Sequence, residues 1–435
     1  MIDSGAEVLE FREFRLDIPG RRLWRKQDPV ALQPKAFDLL AYLATHRERV
    51  VPKDELFSAL WPDTFVQDAN LPQTVSVLRR ALGESSQDNA VIATVPRRGY
   101  KFVAPVRAIA EDREGRARAA DLCVRGRHQL NRRLTDSLSA AITLFLASTD
   151  ADPTYAPAWV GLADSYALLS LYGASMPRDA FPRSKAAALT ALSHDPGLAP
   201  AHNALGVVAL FYEWDWTAAE QAFTRAIALD PVYGEAHQRL GMYLTAQQRF
   251  AEAREVLERA QALDPLSRII ATMAGYPAYY AGDYEAAARQ FRQVLQLDPN
   301  FSMAHFRLGL ALAQQHRFTE ALAELGIAKA LSDDRDVVAA LGQVHGMMSH
   351  RDEALAAIAE LEARSKAGFV PSYAVAVVHA ALGDTEAALD WLARAVEERS
   401  YWVMYFNVDP ALASLRGHAR FDDLRAQAGL LAPAR

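Results

Sequence analysis

Two pairs of adjacent arginines carry the chemistry that is easiest to place in this sequence. Arg79-Arg80 lies near the end of an amphipathic stretch, and Arg97-Arg98 sits inside the run Pro96-Arg97-Arg98-Gly99. A guanidinium pairs with phosphate oxygens or forks onto a guanine edge. Upstream of the first pair stand Gln73, Thr74, Ser76 and Val77, and Lys101 follows the second. The polar ones hydrogen-bond a base edge or a phosphate, and the valine makes apolar contact with a base. Set on one face, such residues bind double-stranded DNA.

Those residues need a helix and a hairpin to hold them. Taken at 100° per residue, Leu71, Val75, Leu78 and Leu82 cluster within about 60°, which is a core stripe. Gln73, Ser76, Val77 and Arg80 fall opposite it, with Arg79 on the flank. Asn70 can cap this helix, Gln73 stands where a capping box wants it, and Gly83 ends it. Ala90–Val95 then has strand composition, Pro96–Gly99 is a turn, and Tyr100–Val103 is the return strand. A helix followed by a hairpin with arginines at its tip has the pattern of a winged helix. The helix 71–82 enters the major groove, and the tip 96–99 reaches backbone or minor groove.

The residues upstream complete a small α+β domain. Glu7–Phe11, Phe14–Asp17, Arg22–Arg25 and Pro29–Leu32 read as short strands, with Pro19-Gly20 and Asp28-Pro29 as turns. Two helices follow, about Pro34–Thr45 and about Lys53–Leu60. The first opens on proline and carries Phe37, Leu40, Ala41 and Ala44 at helical spacing. The second places Leu56 and Leu60 on one side.

The ordered signature Pro34–Leu40, Val51–Leu56, Leu60-Trp61-Pro62, Leu78–Gly83, Thr94-Val95 and Arg98–Phe102 resembles the OmpR/PhoB-type winged-helix domain. The resemblance spans residues 7–104 without a large gap. It implies a four-stranded N-terminal sheet, three helices and a C-terminal wing. It implies that Gln73, Thr74, Ser76, Val77, Arg79 and Arg80 face the major groove, and that Arg97, Arg98 and Lys101 serve the wing. It further implies that the loop after α2 touches RNA polymerase, through Trp61, Asp63, Thr64, Phe65, Gln67 and Asp68, and that two protomers sit on neighbouring DNA sites as a homodimer. This chain departs from the pattern in three places. Ser76 and Val77 stand where many relatives carry a basic cluster, Pro72 sits early in the helix, and Gln33 takes the place of a Ser or Thr cap.

The other residue types argue for binding rather than catalysis. No Gly-rich phosphate loop, Cys/His metal spacing or nucleophile beside a base emerges, so no enzyme, metal or cofactor is expected. The one cysteine, Cys123, excludes an internal disulfide and reads as a small apolar helix residue in a reducing compartment. The chain of 435 residues has a net charge of −6, with a mildly basic front and an acidic back. Its 51% apolar and 23% charged residues are ordinary for globular domains. The sequence shows neither an apolar run of about 20 residues nor a signal-peptide layout, so a cytoplasmic protein without a membrane segment is expected. ToxR-type relatives place a membrane helix after the winged helix, whereas residues 105–135 here are polar and Arg-rich. No receiver pattern flanks the domain, so control by aspartyl phosphorylation is not expected.

Beyond a mixed-charge linker at 105–118, the chain is helical by pattern. Asp-Pro recurs with its proline at 153, 196, 231, 265 and 299, a period close to 34 residues. That period resembles the tetratricopeptide repeat, an all-α solenoid. Helix A is marked by Trp159, Leu162, Ala163 and Tyr166, and by His305, Leu308, Gly309 and Leu312 in a later unit. Helix B is marked by Ala253, Leu257 and Ala260. About seven units are expected over 119–408, with an insertion near Leu171–Arg183 and a capping segment over 409–435. Such arrays bind a protein, a peptide or a small molecule. His202, His237 and His305 hold equivalent places and read as helix-face residues rather than a metal site. Phe211, Tyr212, Trp214 and Trp216 read as packing between helices of one unit. The whole is expected to be a DNA-binding transcriptional regulator whose array senses a signal or mediates protein interaction or self-association. The rival reading is a non-enzymatic scaffold whose winged helix does not read DNA specifically.

Overall fold

A computed structural model describes residues 8–18, 20–26, 28–61, 70–84, 91–109, 113–132, 134–332 and 334–430. The chain forms two compact units, Met1–Arg116 and Ala117–Arg435.

In the first unit the alternating apolar residues make strands. These are β1 (Val8–Phe11), β2 (Phe14–Asp17), β3 (Arg22–Arg25) and β4 (Asp28–Pro29), a sequential antiparallel meander. Leu9, Phe11, Phe14, Leu16 and Leu23 turn into the core. Then come α1 (Pro34–Thr45), β5 (Val51–Pro52), α2 (Lys53–Leu60), α3 (Asn70–Ala81), β6 (Ile92–Val95) and β7 (Gly99–Phe102). Gln33 precedes α1 and makes no side-chain cap. Asn70 lies inside α3 rather than before it, so the cap position falls outside the described residues. Tyr42 on α1 donates to Glu55 on α2 at 2.8 Å, and Arg49 donates to the same carboxylate at 2.7 Å. These bonds, Arg49's first, hold the Glu55 carboxyl down at about 2.

One element was not expected. Val106–Ile109 forms β8, antiparallel to β1, so the first sheet has the order β4-β3-β2-β1-β8. The four expected strands are present, and a fifth is added from residues expected to be linker. The expected linker 105–118 also contains the first residues of α4 (Arg113–Asn131). The remaining strands form a second sheet, β5-β7-β6. Phe11 of β1 meets Phe102 of β7 edge to face at 5.1 Å, joining the two sheets through one core.

The second unit contains eight helix pairs among its described residues, one more than the seven expected. They are α4 with α5 (Thr135–Ala151), α6 (Ala156–Leu171) with α7 (Pro177–His194), and α8 (Ala199–Val208) with α9 (Trp216–Leu229). Next are α10 (Gly234–Ala246) with α11 (Phe250–Leu263), and α12 (Arg268–Met273) continued by α13 (Tyr276–Tyr280) with α14 (Tyr284–Leu297). The last are α15 (Ser302–Gln314) with α16 (Phe318–Leu331), α17 (Arg335–Met347) with α18 (Arg351–Ser365), and α19 (Ser372–Leu382) with α20 (Thr385–Glu397). Small residues let partners approach closely. A Cβ on Gly241 would lie 2.5 Å from Leu257 Cγ.

The histidines have a structural task. The Nε2 atoms of His202, His237 and His305 lie 3.1, 3.1 and 2.9 Å from the carbonyl oxygens of Pro196, Pro231 and Pro299. Trp159 Nε1 donates to Pro153 O at 2.9 Å in the same way. Each ring ties a first helix to the Asp-Pro turn before it. Cys123 is buried, and burial pushes its thiol up.

The C-terminal segment does more than cap the array. After α20 come short 3-10 turns at Tyr401–Tyr405 and Pro410–Leu415, then α21 (Ala419–Gln427). Tyr405 stacks on Tyr280 of α13 at 4.6 Å, and Trp402 stacks on Tyr373 of α19 at 5.5 Å. Tyr401 meets Phe211 edge-on at 6.2 Å, and Trp216 Nε1 donates to Ala428 O at 3.0 Å. The cluster at 211–216 therefore receives the distant C-terminal segment. Its expected role, packing within one repeat, is corrected accordingly. Tyr212 stacks on Phe181 of the preceding pair at 5.4 Å.

Candidate nucleic-acid interface

Helix α3 is fixed by its apolar stripe. Leu71, Val75 and Leu78 are buried on it, and Leu82 is buried just beyond its end. The amides of Gly83 and Glu84 close the last turn onto the carbonyls of Arg80 and Arg79. This orientation leaves Gln73, Ser76 and Arg80 exposed on the other side. Thr74 and Val77 are half-buried flanks. Thr74 donates its hydroxyl back to Asn70 O at 2.8 Å, and Val77 packs partly on the core. The solvent face therefore offers one amide, one hydroxyl and one guanidinium.

The wing is a three-residue connection. Val95 faces Gly99 in the antiparallel register, and Arg98 N donates to Val95 O at 3.0 Å. Arg97 takes a left-handed conformation with φ 62°. Gly99 has φ +150°, and a Cβ there would sit 1.9 Å from Val51 O on β5. Only glycine allows that approach. Arg97 and Arg98 are exposed, and Lys101 is half-buried on β7. Among the described residues, no carboxylate is within ion-pair distance of Arg80, Arg97, Arg98 or Lys101. The exposed cations of helix and tip are thus free to meet phosphate.

Arg79 behaves differently. Its Nη2 donates to Ile92 O at 2.7 Å and to Thr94 Oγ1 at 2.9 Å, both on β6. Helical spacing placed Arg79 on the flank and the family resemblance grouped it with the DNA-facing residues, but its fork turns inward and ties α3 to the wing strand. Nothing in the sequence marked Ile92 or Thr94 as its partners, because a backbone acceptor leaves no trace in residue type. Glu84 is similarly committed, accepting from Val91 N at the start of the wing strand.

Of the residues expected to touch polymerase, Trp61 alone is described. It is half-buried beside Phe57 at 5.8 Å, with the Lys35 ammonium 5.9 Å from its ring. Asp63, Thr64, Phe65, Gln67 and Asp68 lie outside the described residues.

The family described as "Transcriptional regulatory protein, C terminal" matches residues 27–102, and the tetratricopeptide repeat family matches residues 208–268 and 272–334. The transcriptional activator CadC of Escherichia coli K12 is 40% identical over 78 residues, covering 18% of this chain and 15% of CadC. The phosphate regulon regulatory protein PhoB of the same strain is 31% identical over 97 residues, covering 22% of this chain and 42% of PhoB. This chain thus spans less than half the length of the curated relatives it matches. The solved DNA-binding domain of Escherichia coli CadC is 31% identical, covered in full by 24% of this chain, with a TM-score of 0.22. Both matched families are of non-enzymatic kinds. Among the described residues no helix is long and apolar enough to cross a membrane.

Proposed function

From a chain whose N-terminal unit is an OmpR/PhoB-type winged-helix DNA-binding domain and whose C-terminal unit carries tetratricopeptide repeats, we propose a cytoplasmic, sequence-specific transcription regulator. In this reading Gln73 and Ser76 contact base edges, with Thr74 and Val77 at the margins of the same face. Arg80, Arg97 and Arg98 contact phosphate or minor groove, and Lys101 supports the wing. Arg79 positions the wing strand against the reading helix. Two protomers occupy neighbouring sites, and the loop that begins at Trp61 meets RNA polymerase. The repeats receive the signal or mediate association, and no catalytic step is involved. The observation that carries the proposal is the exposed set Arg80, Arg97 and Arg98 on helix and wing tip, free of carboxylate partners among the described residues. The test is competition between the protein's own promoter fragment and a scrambled one at about 150 mM salt, where non-specific binding is weak. Preference for the promoter supports the reading, and equal binding refutes sequence specificity.

A specific observation favours one alternative, an interaction scaffold without specific DNA reading. Arg79 is committed to β6, and the middle of α3 holds Ser76 and Val77. The variant R80A/R97A/R98A separates the two readings. A regulator loses DNA binding and keeps its fold, whereas a scaffold's partner binding does not change.

A further inference from the structure

The repeat unit holds a half-open cavity of about 730 Å³. That volume lies within the range of small-molecule sites, roughly 300–1,000 Å³. Its walls come from the first helices of several repeats and from the C-terminal turn Tyr401–Tyr405. Phe211, Tyr276, Tyr401, Trp402 and Tyr405 give it an aromatic lining.

Two arginines in that lining are the unusual feature. Arg239 and Arg307 are only 7% and 6% exposed, and the Nε atom of each finds no hydrogen-bond partner. Arg307 lies in a cage of rings, 4.3 Å from Tyr276, 4.9 Å from Phe306 and 5.3 Å from Trp402. No carboxylate among the described residues is within ion-pair distance of it. Arg239 lies 5.7 Å from the Phe211 ring, and its bond to Glu235 is long, 3.4 Å. A guanidinium stays charged at any physiological pH, and a buried charge without a close counter-ion is destabilising.

The other charged groups on the walls are already engaged. Arg335 donates to Leu171 O and Tyr172 O at 3.0 Å each, and Arg364 pairs with Glu360 at 2.6 Å. Asp336 accepts from Tyr401 at 3.0 Å, and Asp334 accepts from the Asp336 amide at 2.9 Å. Those carbonyls leave the Arg335 charge uncancelled, its buried Nε also lacks a partner, and Asp336 places a negative charge near Arg307. It is therefore Arg307 and Arg335 whose guanidiniums have no carboxylate within ion-pair distance among the described residues, while Arg239 keeps its long pair with Glu235.

We propose that this cavity is a binding site for a small organic acid, with its carboxylate held by Arg307 and Arg239 and its flat apolar body against the aromatic walls. A small ligand fits better than an extended peptide, because the chain's own residues 401–405 already lie along the first helices. The bidentate fork of arginine matches a carboxylate in one plane, while the rings supply area at low entropic loss. This deepens the reading of the repeats as a signal receiver and rests on it for regulation alone.

The experiment uses the full chain and three probes of matched shape: 3-phenylpropionate, 3-phenylpropanol and 3-phenylpropylamine. Each competes against the fluorescent anion 1-anilinonaphthalene-8-sulfonate. The acid displaces the dye at least tenfold more effectively than the alcohol, and the amine does not displace it. R307M and R239M lower the acid's effect at least tenfold, while R307K, which keeps the buried charge, lowers it less and guards against a folding artefact. Equal displacement by acid and alcohol, no dye binding or displacement at all, or unchanged behaviour of folded R307M and R239M would overturn the proposal. No DNA enters the measurement. Loss of promoter preference with the acid still bound would reject the regulator and leave this site standing.

Discussion

Arg79 on α3 donates to the carbonyl of Ile92 on β6 at 2.7 Å, and the same nitrogen reaches Thr94 Oγ1 at 2.9 Å. Helix α3 and the wing strand β6 are thus joined through the Arg79 side chain. Two neighbouring arginines of one sequence pair therefore do different work. Arg80 faces solvent, and Arg79 ties α3 to β6.

That division predicts different salt dependences. R97A, R98A and R80A each reduce the slope of log affinity against log salt by about one, as loss of a phosphate contact requires. R79A weakens binding while leaving the slope nearly unchanged, because it loosens the wing instead of removing a phosphate contact. Fluorescence anisotropy titrations at several salt concentrations measure both. An equal slope change for R79A and R97A would show that Arg79 also meets phosphate.

The Gly99 position predicts a fold-level effect. G99A places a methyl group against Val51 O in a backbone conformation that disfavours side chains. We expect a loss of about 2–3 kcal/mol or more in the N-terminal unit. G326A is the control, since a Cβ there meets nothing within 4 Å on an exposed face of α16. It should stabilise the repeat unit by about 0.5–1 kcal/mol. Differential scanning calorimetry of the two variants checks both signs.

How much of this was legible depended on where the information lay. The stripe Leu71, Val75, Leu78 and Leu82 announced α3 because helical periodicity is local. The wing showed in Pro96–Gly99 because turns have their own residue types. Strand β8 did not show, because Val106–Ile109 carries an arginine amid small and apolar residues and gains its place only by pairing with β1. Pro105 and the charged run after it then looked like the domain's end. The period of the Asp-Pro turns revealed the repeats. It could not reveal that Tyr401–Tyr405 returns to the first helices, since that contact has no period. Arg239 and Arg307 stayed hidden for the same reason, because the face of a helix that lines a cavity depends on the neighbouring repeats.

The histidine ties predict a structural role independent of metal. H237A removes the bond to Pro231 O and should lower repeat-unit stability by about 1–2 kcal/mol. Chelators should leave the wild-type melting temperature unchanged. A large chelator effect would show that an ion contributes.

Glu398 predicts a pH effect of definite sign. It accepts from Ser372 N at 2.6 Å and from Ser372 Oγ at 2.9 Å, yet burial pushes its carboxyl up to about 7. Between its ordinary value of 4.5 and 7, the folded chain holds a proton that the unfolded chain has released. Its contribution is therefore full below about 4.5 and is lost as pH rises through 7, by on the order of 2–3 kcal/mol. Asp336, raised to about 6 chiefly by burial, acts in the same direction, while His345, lowered by burial, acts in the opposite one. Comparing E398Q with wild type between pH 5 and 8 isolates the Glu398 part. The variant should show the shallower fall in stability, and parallel curves would contradict the assignment.

The most direct test is capture of genome fragments by the purified full chain at about 150 mM salt, followed by sequencing, with R80A/R97A/R98A run in parallel. The account predicts one shared motif enriched by the wild type and lost by a variant that still melts normally. No shared motif, or the same enrichment by the variant, would contradict it.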